Sequence, residues 1–204
     1  MSRSVRRAAA EGLERLILRR AWRAQLEAFG RPSDCQRRRL ETLLSRNADT
    51  VFGRRNRFGS ILRSPDPVRS YQDSVPAASY EDLEPLILRA AGGEPGVLTA
   101  GKVLAFERSS GSLGGNKLIP FTRDLLQEFQ AGIFPWMHGM GRSHPLRGTT
   151  SYWSISAMAE PPGKTAGGIP VGLPGDTSYL GPLVGWTVGQ RLAVPGGVAA
   201  MPDM

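Results

Sequence analysis

Hydrophobic residues fall first at helical spacing, then at strand spacing, then in a tract broken by glycine and proline. Over residues 4–29, Val5, Ala9, Leu13, Leu16, Ile17, Ala21 and Ala24 recur every three or four positions, with arginines between them. That period predicts one amphipathic helix, ended by Gly30 and Pro32. Ser33 or Asp34 is expected to cap a second helix that carries Leu40, Leu43 and Leu44 and fades near Asn47. Asn47-Ala48-Asp49-Thr50 reads as a turn or cap. Phe52-Gly53 and Phe58-Gly59 suggest a compact segment pinned by aromatics. Residues 64–78 hold Pro65, Pro67 and Pro76 and read as an extended connection. Ser79-Tyr80-Glu81-Asp82 then has the form of a helix start, with Ser79 as cap and Asp82 at the third position. Leu83, Leu86, Ile87 and Ala90 continue that helix, Pro85 is tolerated near its start, and Gly92-Gly93 stops it.

The second half is less regular. Val103-Leu104-Ala105-Phe106 has the look of a buried strand. From Thr122 a helical pattern opens, carried by Leu125, Leu126, Phe129, Ile133, Trp136 and Met137. Pro135 is expected to kink it, and Phe134 and Trp136 read as core residues. Thr149–Ser156 alternates and is rich in β-formers, so it reads as a strand. Gly167–Gly185 is dense in glycine and proline and reads as a long loop, and residues 194–204 show no closing element.

Between the strand at Val103 and the helix opened by Thr122 lies Phe106-Glu107-Arg108-Ser109-Ser110-Gly111-Ser112-Leu113-Gly114-Gly115-Asn116-Lys117-Leu118-Ile119-Pro120. A strand-to-helix loop is the expectation. Three hydroxyls, three glycines and a lysine fall within nine residues. Glycines let backbone N–H groups close on a ligand, and converging N–H groups make a nest for an anion. Ser109, Ser110 and Ser112 add side-chain donors. Lys117 adds a charge suited to phosphate oxygens. Gripping a polyphosphate is the chemistry that uses all of these. Walker A is excluded, because Asn116 precedes Lys117 and Leu118 follows it. A dinucleotide fingerprint is excluded by the spacing of Gly111, Gly114 and Gly115. A glycine- and serine-rich surface turn is the alternative.

Composition adds limits. The 204 residues suit one globular domain or part of a larger one. Apolar residues make up 40%, too many for a disordered chain. No apolar run approaches a membrane span, and the N-terminus lacks a secretory signal pattern. Cys35 is single, and His138 and His144 lack companions, so neither an internal disulfide nor a metal site is expected. A cytoplasmic location is the expectation. Residues 1–63 carry 16 Lys+Arg against 6 Asp+Glu, within an overall net charge of +8. A basic front end can meet nucleic acid, but 23 of the 26 basic residues are Arg spread over the whole chain. Solvated helix faces are therefore preferred, and neither a nucleic-acid nor a membrane partner is expected.

Ser-Ser-Gly-Ser-x-Gly-x-x-Lys at residues 109–117 resembles the phosphate loop of the adenylate-forming superfamily. Further ordered pieces narrow the resemblance. They are Leu43–Gly53, Phe58-Gly59-Ser60-Ile61, Val75-Pro76 with Ser79–Leu83, Gly93-Glu94, and Lys117-Leu118-Ile119-Pro120-Phe121-Thr122. Together, from about Leu43 to about Gly181, they are similar to the auxin-responsive Gretchen Hagen family of acyl acid amido synthetases and its bacterial relatives. Two departures stand out. Leu113 replaces a usual hydroxyl residue, which removes a phosphate donor worth about 1–3 kcal/mol if the contact is direct. The loop is also one residue shorter before Lys117 than in the plant members.

The resemblance implies an α/β fold. N-terminal helices would be followed by part of the large adenylate-forming (acyl-CoA synthetase-like) domain, with an incomplete sheet. It divides the chain into a basic helical region, 1–63, and a nucleotide-binding region, 64–204, containing the phosphate loop 108–120. Adenine- and ribose-holding residues and a mobile C-terminal domain are expected beyond Met204, so the 204-residue chain alone is expected to be inactive. The implied function is ATP-dependent acyl-adenylate formation from a carboxylic acid, followed by amide formation with an amine such as an amino acid. Ser109, Ser110, Gly111, Ser112, Gly114, Gly115 and Lys117 would bind the ATP polyphosphate, with Lys117 stabilising charge on the leaving pyrophosphate. Mg²⁺ would bridge the phosphates. A thioester-forming relative that uses coenzyme A, or a non-catalytic phosphate-binding module, remains as an alternative.

Overall fold

The computed structural model describes residues 3–109, 117–144, 150–152, 163–173 and 175–194. Two compact units divide the chain. One takes Met1–Phe29, Leu125–Pro161 and Leu173–Met204; the other takes Gly30–Asp124 and Pro162–Gly172.

The second unit carries the sheet. It starts with α2 (Pro32–Asn47), after α1 (Arg3–Phe29) in the first unit. Arg31 is the N-cap of α2 and Pro32 opens the helix, so Ser33 and Asp34 fall inside the first turn rather than capping it. Proline's fixed φ and missing N–H suit that opening position. Thr50 caps α3 (Val51–Arg55): its Oγ1 accepts from Gly53 N at 2.9 Å and donates to Asn47 O at 2.8 Å. Phe58 opens α4 (Phe58–Leu62) and meets Phe52 edge-on at 5.8 Å. The aromatic pin is therefore real, and it belongs to a core of Leu44, Phe58 and Ile61 with Tyr71 and Val75 against it.

Residues 64–78 are not an extended connection. They contain α5 (Pro67–Ser74), because Asp66 accepts from Arg69 N at 3.2 Å and Pro67 occupies the first turn. Of the three prolines that suggested extension, Pro65 lies before the helix, Pro67 at its first position and Pro76 just past its C-cap Val75, where none breaks it. Then α6 (Tyr80–Ala91) begins with the expected reciprocal cap, Ser79 and Asp82 each bonding the other's backbone N–H. Its buried face, Leu86, Ile87, Ala90 and Ala91, packs with Val97 and Phe106 into the main core of this unit.

The sheet runs β2-β1-β4-β3. Strand β1 (Val103–Arg108) pairs antiparallel with β2 (Leu118–Thr122) and parallel with β4 (Pro170–Val171), which pairs antiparallel with β3 (Gly163–Lys164). Pro120 lies in β2, at the end of the strand order, where its missing N–H costs no central ladder bond. Gly167, between β3 and β4, donates its N–H to Ala91 O at 2.9 Å. A Cβ at Gly167 would stand 2.5 Å from Gly92 C and from Gly93 N, so only glycine permits this approach to the end of α6.

In the first unit, α1 runs as expected, but its buried face is rotated from the apolar stripe. Val5, Leu13 and Leu16 are exposed, while Glu14 and Leu18 are buried. Leu18 joins Phe134 of α7 (Arg123–Ser143) and Leu180, Val184 and Val188. Glu14 is paired with Arg191 Nη2 at 2.6 Å. Helix α7 runs on past Pro135 to Ser143; Phe134 is core, whereas Trp136 is 52% exposed. The expected loop from Gly167 to Gly185 is in large part structured. It contains β4, a 3₁₀ turn (Asp176–Leu180) and α8 (Gly181–Gly189), with Pro182 in the first turn of α8. The strand expected at Thr149–Ser156 lies mostly outside the described residues; Ser151 makes one parallel bridge to Leu192. No helix among the described residues is long and apolar enough to cross a membrane.

Candidate functional site

The loop proposed for phosphate closes a hairpin rather than joining a strand to a helix. Its two flanks pair antiparallel, with Arg108 opposite Leu118, Glu107 opposite Ile119 and Phe106 opposite Pro120. Ser109 N donates to Lys117 O at 3.0 Å, one step beyond the last strand pair. The sequence hid β2 because Pro120 sits inside it and a five-residue strand gives little periodic signal. Of the predicted phosphate-binding residues, the structure places Ser109 and Lys117 across the neck of this hairpin. Ser110, Gly111, Ser112, Gly114 and Gly115 lie outside the described residues.

The first turn of α6 holds the return side of the neck. Lys117 Nζ lies 2.8 Å from Glu81 Oε1 and 4.8 Å from the centroid of the Tyr80 ring. Leu118 N donates to the Tyr80 hydroxyl oxygen at 2.9 Å. Tyr80 thus touches the side chain of residue 117 and the backbone of residue 118. Its ring also packs against the main core, which fixes the platform. Phe106 and Leu118, at the two sides of the hairpin, join the same core.

The electrostatics follow from these contacts. The hydrogen bond from Lys117 is the largest influence on the Glu81 carboxyl, and its own backbone and Ser79 help, so its pKa falls from 4.5 to about 2. Asp82 is also held below its ordinary range, by the backbone and side chain of Ser79. Near the outgoing side of the neck, Glu107 buries Oε1 with no hydrogen-bond partner among the described residues. The neck therefore presents one ammonium with three donors, and its side chain is 39% exposed. That group can accept an anion by exchange or by sharing. No group of three His, Cys, Asp or Glu able to hold a metal ion occurs among the described residues.

Sequence reasoning found Ser79-Tyr80-Glu81-Asp82 as a helix start and missed its second use. Thirty-six residues separate Glu81 from Lys117, and no local pattern reports a pairing at that distance.

A family model described as the GH3 family N-terminal domain matches residues 23–190. A protein of Oryza sativa subsp. japonica, named probable indole-3-acetic acid-amido synthetase GH3.1, is 42% identical over 91 residues, covering 44% of this chain and 14% of the relative. Indole-3-acetic acid-amido synthetase GH3.5 of Arabidopsis thaliana is 32% identical over 147 residues, 71% of this chain and 23% of the relative. Among solved structures, the AtGH3.15 acyl acid amido synthetase in complex with 2,4-DB superposes with a TM-score of 0.53 at 27% identity, over 67% of this chain and 23% of that one. The chain thus spans less than a quarter of the length of each of these relatives. Its helices and mixed sheet share the fold of that synthetase, and by the match over residues 23–190 the chain belongs to the GH3 family, through its N-terminal domain.

Proposed function

We propose that the loop from Ser109 to Lys117 grips the polyphosphate of ATP in an enzyme that activates a carboxylic acid and joins it to an amine. The carrying observation is the position of Lys117, an ammonium fixed by Tyr80 at the neck of the serine- and glycine-rich hairpin loop. Family membership over residues 23–190 supports the reaction class.

In the proposed reaction a carboxylate oxygen bonds to the α-phosphorus as the bond to the pyrophosphate oxygen breaks. Negative charge grows on the departing phosphates. A prearranged ammonium and N–H donors stabilise that charge without reorganising. The amine nitrogen then bonds to the acyl carbon, AMP leaves with the electron pair of the broken bond, and the nitrogen loses a proton. Lys117 acts in the first step. Ser109, Ser110, Gly111, Ser112, Gly114 and Gly115 are proposed as its partners in holding the phosphates. Mg²⁺ is proposed only as a companion of the ATP phosphates, since the described residues offer no cluster to hold it.

The test is carboxylate-dependent exchange of labelled pyrophosphate into ATP. It is run on the 204-residue chain and on a version continued through any downstream reading frame, each beside Lys117→Ala. Exchange that falls by about 10²–10³-fold in Lys117→Ala is expected. Exchange that survives the substitution, or its absence from both lengths across a broad panel of acids, would overturn the reading.

A further inference from the structure

Lys117 already faces an anion. Glu81 Oε1 lies 2.8 Å from its Nζ, and the two side chains are 67% and 39% exposed, respectively. Either partner can therefore turn to water without stranding a buried charge. Glu81 is not a member of the cap of its own helix. The start of α6 is secured by the reciprocal bonds of Ser79 and Asp82, to which the Glu81 carboxylate adds contacts with Ser79 and its own backbone. Tyr80, by contrast, is anchored twice, by its ring in the core and by its hydroxyl on Leu118 N. The lysine's seat would thus outlast the loss of the carboxylate.

We propose that Glu81 competes with the polyphosphate for Lys117, so that ligand binding exchanges one anion for another at this ammonium while Tyr80 keeps the lysine in place. The inference rests on the reading of the Ser109–Lys117 loop as a polyphosphate site. A carboxylate carries one charge and a pyrophosphate several, so the ligand is the stronger partner for the ammonium. Were Glu81 to stay, its charge would oppose the incoming phosphates. Like any carboxyl with an ordinary value of 4.5 it is ionised at neutral pH, a full competitor.

The experiment is calorimetric titration of inorganic pyrophosphate into the 204-residue chain at neutral pH. The proteins are wild type, Glu81→Gln, Glu84→Gln and Lys117→Ala, each checked for native circular dichroism. Glu84→Gln removes the same charge one turn along α6, where the described residues show no ion pair to Lys117. Glu81→Gln is expected to tighten binding about two- to fivefold, the range of an exposed ion pair. Glu84→Gln should change it little, and Lys117→Ala should abolish it. Binding by Glu81→Gln alone would also support the exchange.

Binding that needs Lys117 but is unchanged or weakened in Glu81→Gln would overturn the exchange and leave the loop reading intact. Equal tightening in Glu81→Gln and Glu84→Gln would do the same, since it would report the general field of α6. No binding in any of the four proteins would overturn both.

Discussion

Tyr80 and Leu118 stand 38 residues apart in the chain and share one hydrogen bond, from Leu118 N to the Tyr80 hydroxyl oxygen at 2.9 Å. That bond ties the first strand residue after the loop to the first turn of α6. It determines where Lys117, the residue before it, can reach.

Tyr80→Phe keeps the ring beneath Lys117 and removes the acceptor. The partly buried Leu118 N–H then loses its partner, at a cost of about 1–2 kcal/mol. Urea denaturation should show a lower midpoint with an unchanged slope. Tyr80→Leu, which removes the ring as well, should cost more.

The Glu81–Lys117 pair makes stability depend on pH in a definite sense. The folded carboxyl is depressed to about 2 from an ordinary 4.5. Its contribution is therefore fully present above pH 4.5 and lost as pH falls towards 2. Lys117→Ala should be less stable than wild type at neutral pH, and the difference should shrink through that window. A difference that stays constant from pH 7 to pH 2.5 in parallel denaturation curves would place the pair outside the folded protein in solution.

Thr50 is nearly fully buried, and its Oγ1 both caps α3 and donates to Asn47 O. Thr50→Ala should destabilise by about 1–2 kcal/mol, with most of the loss restored in Thr50→Ser. Three residues on, a Cβ at Gly53 would stand 1.9 Å from Asn47 O. Gly53→Ala should cost about 3 kcal/mol, because backbone rather than a flexible side chain must give way. Thermal unfolding of the three variants checks the order.

Gly167→Ala tests the contact that brings the β3–β4 hairpin against the end of α6. The added methyl meets backbone of Gly92 and Gly93, and the bond from Gly167 N to Ala91 O must lengthen. A loss of roughly 1–3 kcal/mol is expected. Amide exchange should quicken at Gly167 and Gly172, whose N–H bonds join that hairpin to Ala91 and Phe106.

Arg191→Ala leaves the Glu14 carboxylate, 5% exposed in its side chain, without this ion pair. An uncompensated buried charge costs about 3–5 kcal/mol. Glu14→Met with Arg191→Met should recover most of that loss, because the pair is then replaced by packing. A double-mutant cycle in denaturant measures it.

Local chemistry made part of this protein legible in its sequence. The long period of α1, the Ser79–Asp82 cap of α6, the glycine stop at Gly92-Gly93 and the apolar run of β1 are each written in one continuous stretch of neighbouring residues. The ordered motifs from Leu43 onward also carried the family. Helix α5 was legible too, through Asp66 and Pro67, but the prolines around it pointed as strongly to an extended chain. Other features were decided by tertiary contacts. Which face of α1 is buried depends on residues far along the chain: Phe134, Leu180, Val184 and Val188 meet Leu18, and Arg191 meets Glu14. A five-residue strand containing proline becomes β2 because β1 offers it a ladder and the end of the sheet spares Pro120 a lost bond. The two-residue strands β3 and β4 exist because Gly167 can reach Ala91 and Val171 can pair beside Phe106. The sequence named Lys117 as a phosphate-seeking charge from its spacing behind glycines and serines. Its setting over Tyr80 and against Glu81 needed the fold, since hydrogen bonds and ion pairs act across ångströms of space and leave no periodic trace along the chain.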